Sequence, residues 1–446
     1  MFLRRSVLLL FCSSLAVADD QAATASMLRD KALASNRGWE IVESLTTEVG
    51  PRLAGTDADK RAVSWARALL EQAKDAGVFD KIWLEPVSFP VWQRHREHAR
   101  IVSPYPQPLT ITALGYSGST QGEIRGEVIA FPDLASLENA DEKRVAGKIV
   151  FINQPMLRDR EGAGYGEVVP IRYAAGVVAK QKGAVAALIR SAGTDSHRFP
   201  HAGASTRADS PLPAAALSAP DAQQLQRILD RQEKLVVALD IDVSEQPGGE
   251  SYNVIAQIDG RVDAQKIVLI GAHLDSWDLG TGAIDDGAGV AITVAAAQLI
   301  GELPQRPRYS VRVVLFANEE QGIWGAKAYA KQHHDELRNH LFASESDFGA
   351  RPVWRFETAN TALMDIVMPH LAALSIERGG EATSGGPDIQ PLQAAGVPVF
   401  RLKQDGTDYF DYHHTADDTL DKIDAEELKQ NIAAWAVVTF LAADGD

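Results

Sequence analysis

The sequence predicts an α/β protein built on a central, mostly parallel mixed sheet flanked by helices, and three observations carry that expectation. From Ser251 onward, strand-like and helix-like stretches alternate, as crossover helices between parallel strands require. The β runs 267–270 and 311–316 are apolar almost throughout, which fits strands covered on both faces. With 446 residues, 45% of them apolar and 23% charged, the chain has core material for two or three domains.

The elements follow in chain order. Residues 1–18 hold basic Arg4 and Arg5, an apolar run over 7–15 and Ala16-Val17-Ala18, the small-x-small pattern of a cleaved export signal. The run falls short of the roughly 20 apolar residues that span a bilayer, so no stable membrane anchor is expected. Helical periodicity over 22–74 is interrupted by Gly50-Pro51-Arg52-Leu53-Ala54-Gly55, a loop by composition. Strands are expected at 81–89 and 99–102, closing a first segment at 19–121. A second zone, 122–245, has its own strands and helices and leaves through the linker-like Glu245-Gln246-Pro247-Gly248-Gly249, as an inserted domain would. The remainder, 246–446, predicts strands at 266–272, 310–317, 341–345 and 398–402, and helices at 287–300, 324–333, 361–374 and 425–441.

Charge and cysteine content remove several function classes. A formal net charge of −16 lacks the clustered cations that nucleic acid demands. The single cysteine, Cys12, allows no intrachain disulfide, no redox pair and no cysteine-held metal. Any metal must be held by His, Asp and Glu.

In an open α/β sheet the ligand site lies beyond the carboxyl ends of the strands. That rule selects His273 and Asp275 after the first strand of the last segment, Glu319 and Glu320 after the second, and Asp347 after the third. Asp285-Asp286, ahead of Gly287, and His414 join them. So many carboxylates at one rim repel one another, and divalent cations relieve the conflict; imidazole with carboxylate suits zinc, and one carboxylate can bridge two ions about 3.5–4 Å apart. Each pair alone has a plainer reading, Asp285-Asp286 as a helix cap and Glu319-Glu320 as a solvated face, and only the joint placement favours a metal site. His95, His98, His333 and His334 are read as surface residues. There is no H-E-x-x-H, and Gly115-Tyr116-Ser117-Gly118-Ser119 is the nearest approach to G-x-S-x-G.

The segments Gly271-Ala272-His273-Leu274-Asp275-Ser276, Gly282-Ala283-Ile284-Asp285-Asp286-Gly287, Asn318-Glu319-Glu320-Gln321-Gly322, Glu345-Ser346-Asp347 and His413-His414-Thr415-Ala416-Asp417-Asp418 resemble those of the co-catalytic dizinc exopeptidases, the aminopeptidase and glutamate carboxypeptidase family. The resemblance covers nearly the whole chain beyond residue 18, and 122–245 is similar to a protease-associated domain. It implies two Zn2+ per chain, with His273 and Asp347 on one ion, Glu320 and His414 on the other, and Asp285 bridging; cobalt and manganese stay open. It implies that Asp275 orients His273, that Glu319 is the general base and acid, that the Asp285–Asp286 peptide is cis, and that His414 rather than His413 is the ligand. Gly386-Pro387-Asp388-Ile389 departs from the family pattern, which leaves the role of Asp388 open. The implied activity is hydrolysis of short peptides, most of all dipeptides with free termini, by an exported enzyme. A broad-specificity aminopeptidase, a single-zinc glutaminyl cyclase and a receptor-like scaffold without catalysis are the alternatives. A homodimer stays open.

Overall fold

Three parallel strands set up the functional edge of the molecule. In the computed structural model, which describes residues 6–231, 234–382 and 384–445, the strand Asp263–His273 runs parallel to Tyr309–Phe316 on one side and His340–Glu345 on the other. Register sets His273 against Phe316 and Gly271 against Glu345, so three chains leave the sheet at one edge. The export signal expected at 1–18 begins outside the described residues, and its side chains lie outside them throughout.

The sheet is mixed. Val236–Ile258 pairs antiparallel with Tyr309–Phe316, with Ile124–Phe131 and with Lys81–Ser103. Beyond Ile124–Phe131 the ladder continues in parallel through Ile149–Ile152, Ala186–Arg190 and Ala214–Leu217, and closes antiparallel on Ile111–Ala113. Two strand readings need correction. The expected separate strands at 81–89 and 99–102 are one 23-residue strand, Lys81–Ser103, and the residues read as a linker, 245–249, lie inside Val236–Ile258. The breakers misled because this long ribbon absorbs them at a bulge: the register slips between Phe89 and Val91, where Pro90 needs no N–H partner. A Cβ on Gly249 would sit 2.1 Å from Val91 Cγ2, so glycine lets the two strands close there.

Helices cover both faces. Ala288–Gly301 is apolar all round and buried along its whole length, as a helix in the middle of a core must be. It packs with Ala425–Asp444, whose N-cap Asp424 accepts from the N–H groups of Glu426 and Glu427. On the other face, Tyr329 from Trp324–Gln332 packs with Ile255, Leu269, Val314 and Phe316. The strands between 124 and 217 bury two further clusters of their own, with Ala163–Gln181 and Ala219–Leu229 laid against them.

Candidate metal centre

Each candidate side chain owes its position to a strand end or a special turn. His273 is the last residue of its strand. Asn318, at φ 54°, turns the chain sharply after Tyr309–Phe316, a conformation that asparagine adopts more readily than most residues, and Glu319-Glu320 follow at once. Asp285-Asp286, joined by a cis peptide, sit before Ala288–Gly301. They divide two jobs that the sequence offered as rivals. Asp286 is the structural member: its Oδ2 accepts from the N–H of His273 at 3.1 Å and its Oδ1 from that of Gly289 at 3.0 Å. Asp285 lines the cavity instead.

Asp285 is shared between two imidazoles. Its Oδ1 lies 3.0 Å from His273 Nε2, and its Oδ2 lies 3.2 Å from His414 Nε2. Asp347 Oδ1 approaches His273 Nε2 at 3.6 Å, and Glu320 Oε2 approaches His414 Nε2 at 2.9 Å. The structure thus brings all five expected ligands together, two carboxylates beside His273 and two beside His414 with Asp285 common to both.

Burial alone would drive these imidazoles neutral, but the carboxylates overcome it: Asp285 and Asp347 hold His273 well above the usual value, and Glu320 and Asp285 raise His414 to about 9. The carboxylates demand positive charge at both positions. Glu320 Oε1 and Asp285 Oδ2 are buried without a hydrogen-bond donor, and ligand atoms of His273, Asp285 and Asp347 lie within 4.8 Å of one another, as do those of Asp285, His413 and His414. Orphaned carboxylate oxygens facing imidazole nitrogens fit divalent cations held by nitrogen and oxygen.

The two neighbouring histidines differ in how they are held. Their rings stack at 3.5 Å, and His413 Nε2 lies 3.6 Å from Asp285 Oδ2. Only His414 also meets Glu320, and its Nδ1 faces the carbonyl of Ala202 at 3.1 Å. Assigning the proton to Nδ1 satisfies that carbonyl and leaves the Nε2 lone pair for a metal. His413 has no partner at Nδ1, and burial with the neighbouring His414 drives it well below the usual histidine range.

The contact expected between Asp275 and His273 takes a different form. His273 Nδ1 meets the backbone carbonyl of Asp275 at 3.0 Å, while the Asp275 carboxylate stands 3.7 Å away and accepts from the N–H of Glu319 at 3.0 Å. Glu319 is half-buried on the cavity wall, and burial together with Asp347, Glu320 and Glu345 keeps its carboxyl well above the usual range against the pull of His273. The cavity holds about 520 Å³ and is also lined by Tyr165, Arg172 and Tyr173 from the 122–245 segment.

Several contributors had no definite role in the sequence reading. Arg52 is fully buried and its guanidinium donates to the carbonyls of Leu274 (2.6 Å), Thr281 (2.7 Å) and Gly282 (2.8 Å), tying the loop after His273 to the loop before Asp285. Asp418 accepts from the N–H groups of Ala283 and Ile284. From the 122–245 segment, His201 pairs with Asp195 at 2.7 Å and meets the carbonyl of His413 at 2.7 Å. Asp388 is fully buried, its carboxylate has no donor, and its N–H donates to Glu345 Oε2 at 2.8 Å. Burial and Asp347 push Glu345 up to about 8. Of the histidines read as surface residues, His95, His98 and His334 are exposed, but His333 is not free: it lies between Glu85 (2.8 Å) and Glu336 (2.6 Å) and stacks on Tyr329. A helix-end position hid those distant partners.

Comparison with known proteins identifies the family. The family model described as Peptidase family M28 matches residues 253–439. The chain is 35% identical to carboxypeptidase Q of Xenopus laevis over 418 residues, covering 92% of this chain and 87% of that protein. The crystal structure of a peptidase M28 precursor from Shewanella amazonensis SB2B superposes with a TM-score of 0.93 at 47% identity, covering 96% of this chain and 98% of that one. A zinc aminopeptidase from Bacillus subtilis shares the fold, with a TM-score of 0.67 at 19% identity over 92% of this chain and 95% of that one.

Proposed function

Because the chain belongs to peptidase family M28 and is a metallopeptidase of that family, we propose that it is an exported dizinc exopeptidase that hydrolyses short peptides, above all dipeptides with free termini. The observation that carries the reading is Asp285, one carboxylate between two histidines that each have a second acidic partner, on the wall of the cavity. His273, Asp347 and Asp285 would hold one ion, and Glu320, His414 and Asp285 the other. Divalent cations bound there would supply Lewis acidity, which activates a water and polarises a carbonyl.

The protein's own groups move the proton. Glu319, on the cavity wall, takes it from the attacking water and returns it to the amine nitrogen as the C–N bond breaks. The Asp275 carboxylate fixes the Glu319 backbone, and Asp286 secures the strand end that carries His273. Residues 122–245, in the proposed role of an inserted substrate-access domain, contribute Tyr165, Arg172 and Tyr173 to the cavity wall and limit the peptide length that enters. Export rests on the signal-like residues 1–18. An aminopeptidase of broad specificity is the second reading, favoured by the cavity-lining Glu345, whose Oε1 has no donor and suits an α-ammonium group.

The test is a screen of unblocked dipeptides against N-blocked and C-amidated versions, with a zinc count per chain. Two ions and hydrolysis of free dipeptides support the proposal. One ion points to a cyclase, none to a binding scaffold, and turnover of C-amidated peptides at the same rate points to the aminopeptidase.

A further inference from the structure

The cavity that holds the candidate metal centre is also lined by an arginine without a partner among the described residues. Three cationic side chains line the cavity: Arg172, Lys327 and Arg401. Arg172 donates to the Ala204 carbonyl and the Tyr165 hydroxyl, and Lys327 donates to the Gly322 carbonyl. Arg401, half-buried on the strand Phe400–Gln404, makes no hydrogen bond, ion pair or ring contact with any described residue.

Its isolation is not a matter of missing acids nearby. Glu357 lies directly across the ladder from Arg401, yet its carboxylate is turned to Lys403 at 3.7 Å and Arg355 at 3.8 Å. Glu161 is taken by the same two cations, at 2.6 Å and 3.1 Å. The local acids and bases are matched without Arg401, and the guanidinium is left facing the cavity with its donors unused. A half-buried guanidinium with free donors matches a planar carboxylate through two parallel N–H···O bonds, which an uncharged amide cannot replace.

We propose that Arg401 binds the free α-carboxylate of the substrate, so that the enzyme selects short peptides by their C-terminus. The proposal rests on the peptidase reading and names the substrate feature that the same cavity recognises. The metal centre, on the wall of the same cavity, then works on the bond upstream of the anchored carboxylate. Gln390 and Ser384 line the same cavity and add polar surface to it.

The experiment compares alanyl-alanine with alanyl-alanine amide on the zinc-loaded full chain, in wild type, Arg401→Ala and Arg401→Lys. The expected result is a wild-type preference for the acid, and in Arg401→Ala a rise in KM for the acid of at least ~10-fold, the size of one lost charge-assisted contact. Its kcat and its handling of the amide stay near wild type, and Arg401→Lys recovers part of the affinity. An unchanged acid-to-amide ratio in Arg401→Ala, or equal losses on both substrates, overturns the proposal. Calorimetric binding of the same two peptides to Glu319→Gln protein separates the two readings. If wild type hydrolyses neither peptide, the peptidase reading fails; if Arg401→Ala does not weaken the binding of the acid selectively in that background, the carboxylate assignment fails whatever the turnover.

Discussion

The carboxylate of Asp275 accepts a hydrogen bond from the backbone N–H of Glu319 at 3.0 Å, while its own carbonyl meets His273 Nδ1 at 3.0 Å. One residue thereby sets the angle of the imidazole proposed to bind metal through its main chain, and the position of the proposed proton carrier through its side chain. Asp275→Asn keeps an acceptor oxygen for the Glu319 N–H but removes a buried charge, so metal affinity should fall ~10–100-fold, as for other groups that orient metal ligands. Asp275→Ala loses the acceptor as well and should reduce kcat further. Competitive chelation and steady-state kinetics on the two variants check this, and equal kcat in both would show that the Glu319 contact is idle.

Arg52 is the buried link between the loops that carry the two sides of the centre. Burial works against its charge, and Asp418 and Asp275 oppose that effect. Arg52→Met keeps much of the volume but leaves the carbonyls of Leu274, Thr281 and Gly282 without their donors, at a cost of at least ~3 kcal/mol if each loses ~1 kcal/mol or more. Thermal denaturation should show a fall of several degrees, accompanied by weaker metal binding, because the same loops present Asp285.

The strand exits were legible because parallel, doubly covered strands are written as unbroken apolar runs and their ends follow at once. His273, Glu319, Glu320 and Asp347 stand directly after such runs, so a rule about sheet edges finds them. The roles of Arg52, Asp418 and the His201–Asp195 pair were not legible: each acts through backbone carbonyls or N–H groups far away in sequence, and a hydrogen bond to the main chain needs no particular partner residue. The long ribbon of Lys81–Ser103 and Val236–Ile258 was misread for a related reason. Proline and glycine signal a break locally, but a bulge between two long partners tolerates both.

Histidine 333 gives a pH dependence separate from catalysis. Burial lowers its basicity, but Glu336 and Glu85 more than offset this and raise His333 to about 9, from an ordinary value of 6.5, while Arg312 holds Glu336 from the other side. A folded-state pKa above the unfolded one stabilises fully below pH ~6.5 and loses that contribution as pH rises through about 9. Thermal stability should therefore decline between these limits, and His333→Gln should flatten the decline while lowering stability at pH 6. A variant with the same slope as wild type would assign the pH dependence elsewhere.

The division of labour between Glu319 and Glu320 bears most directly on the whole account. Replacing Glu319 by Gln preserves size and leaves His273, Asp285, Glu320, Asp347 and His414 in place, so the protein should retain two zinc ions per chain while kcat falls at least ~10²-fold, the usual loss for a general base. Glu320→Ala, measured beside it, should lose metal and thermal stability together. The decisive measurement is the zinc content and turnover of Glu319→Gln: two ions with turnover nearly abolished is the predicted result, and lost zinc or undiminished turnover would contradict the proposed centre.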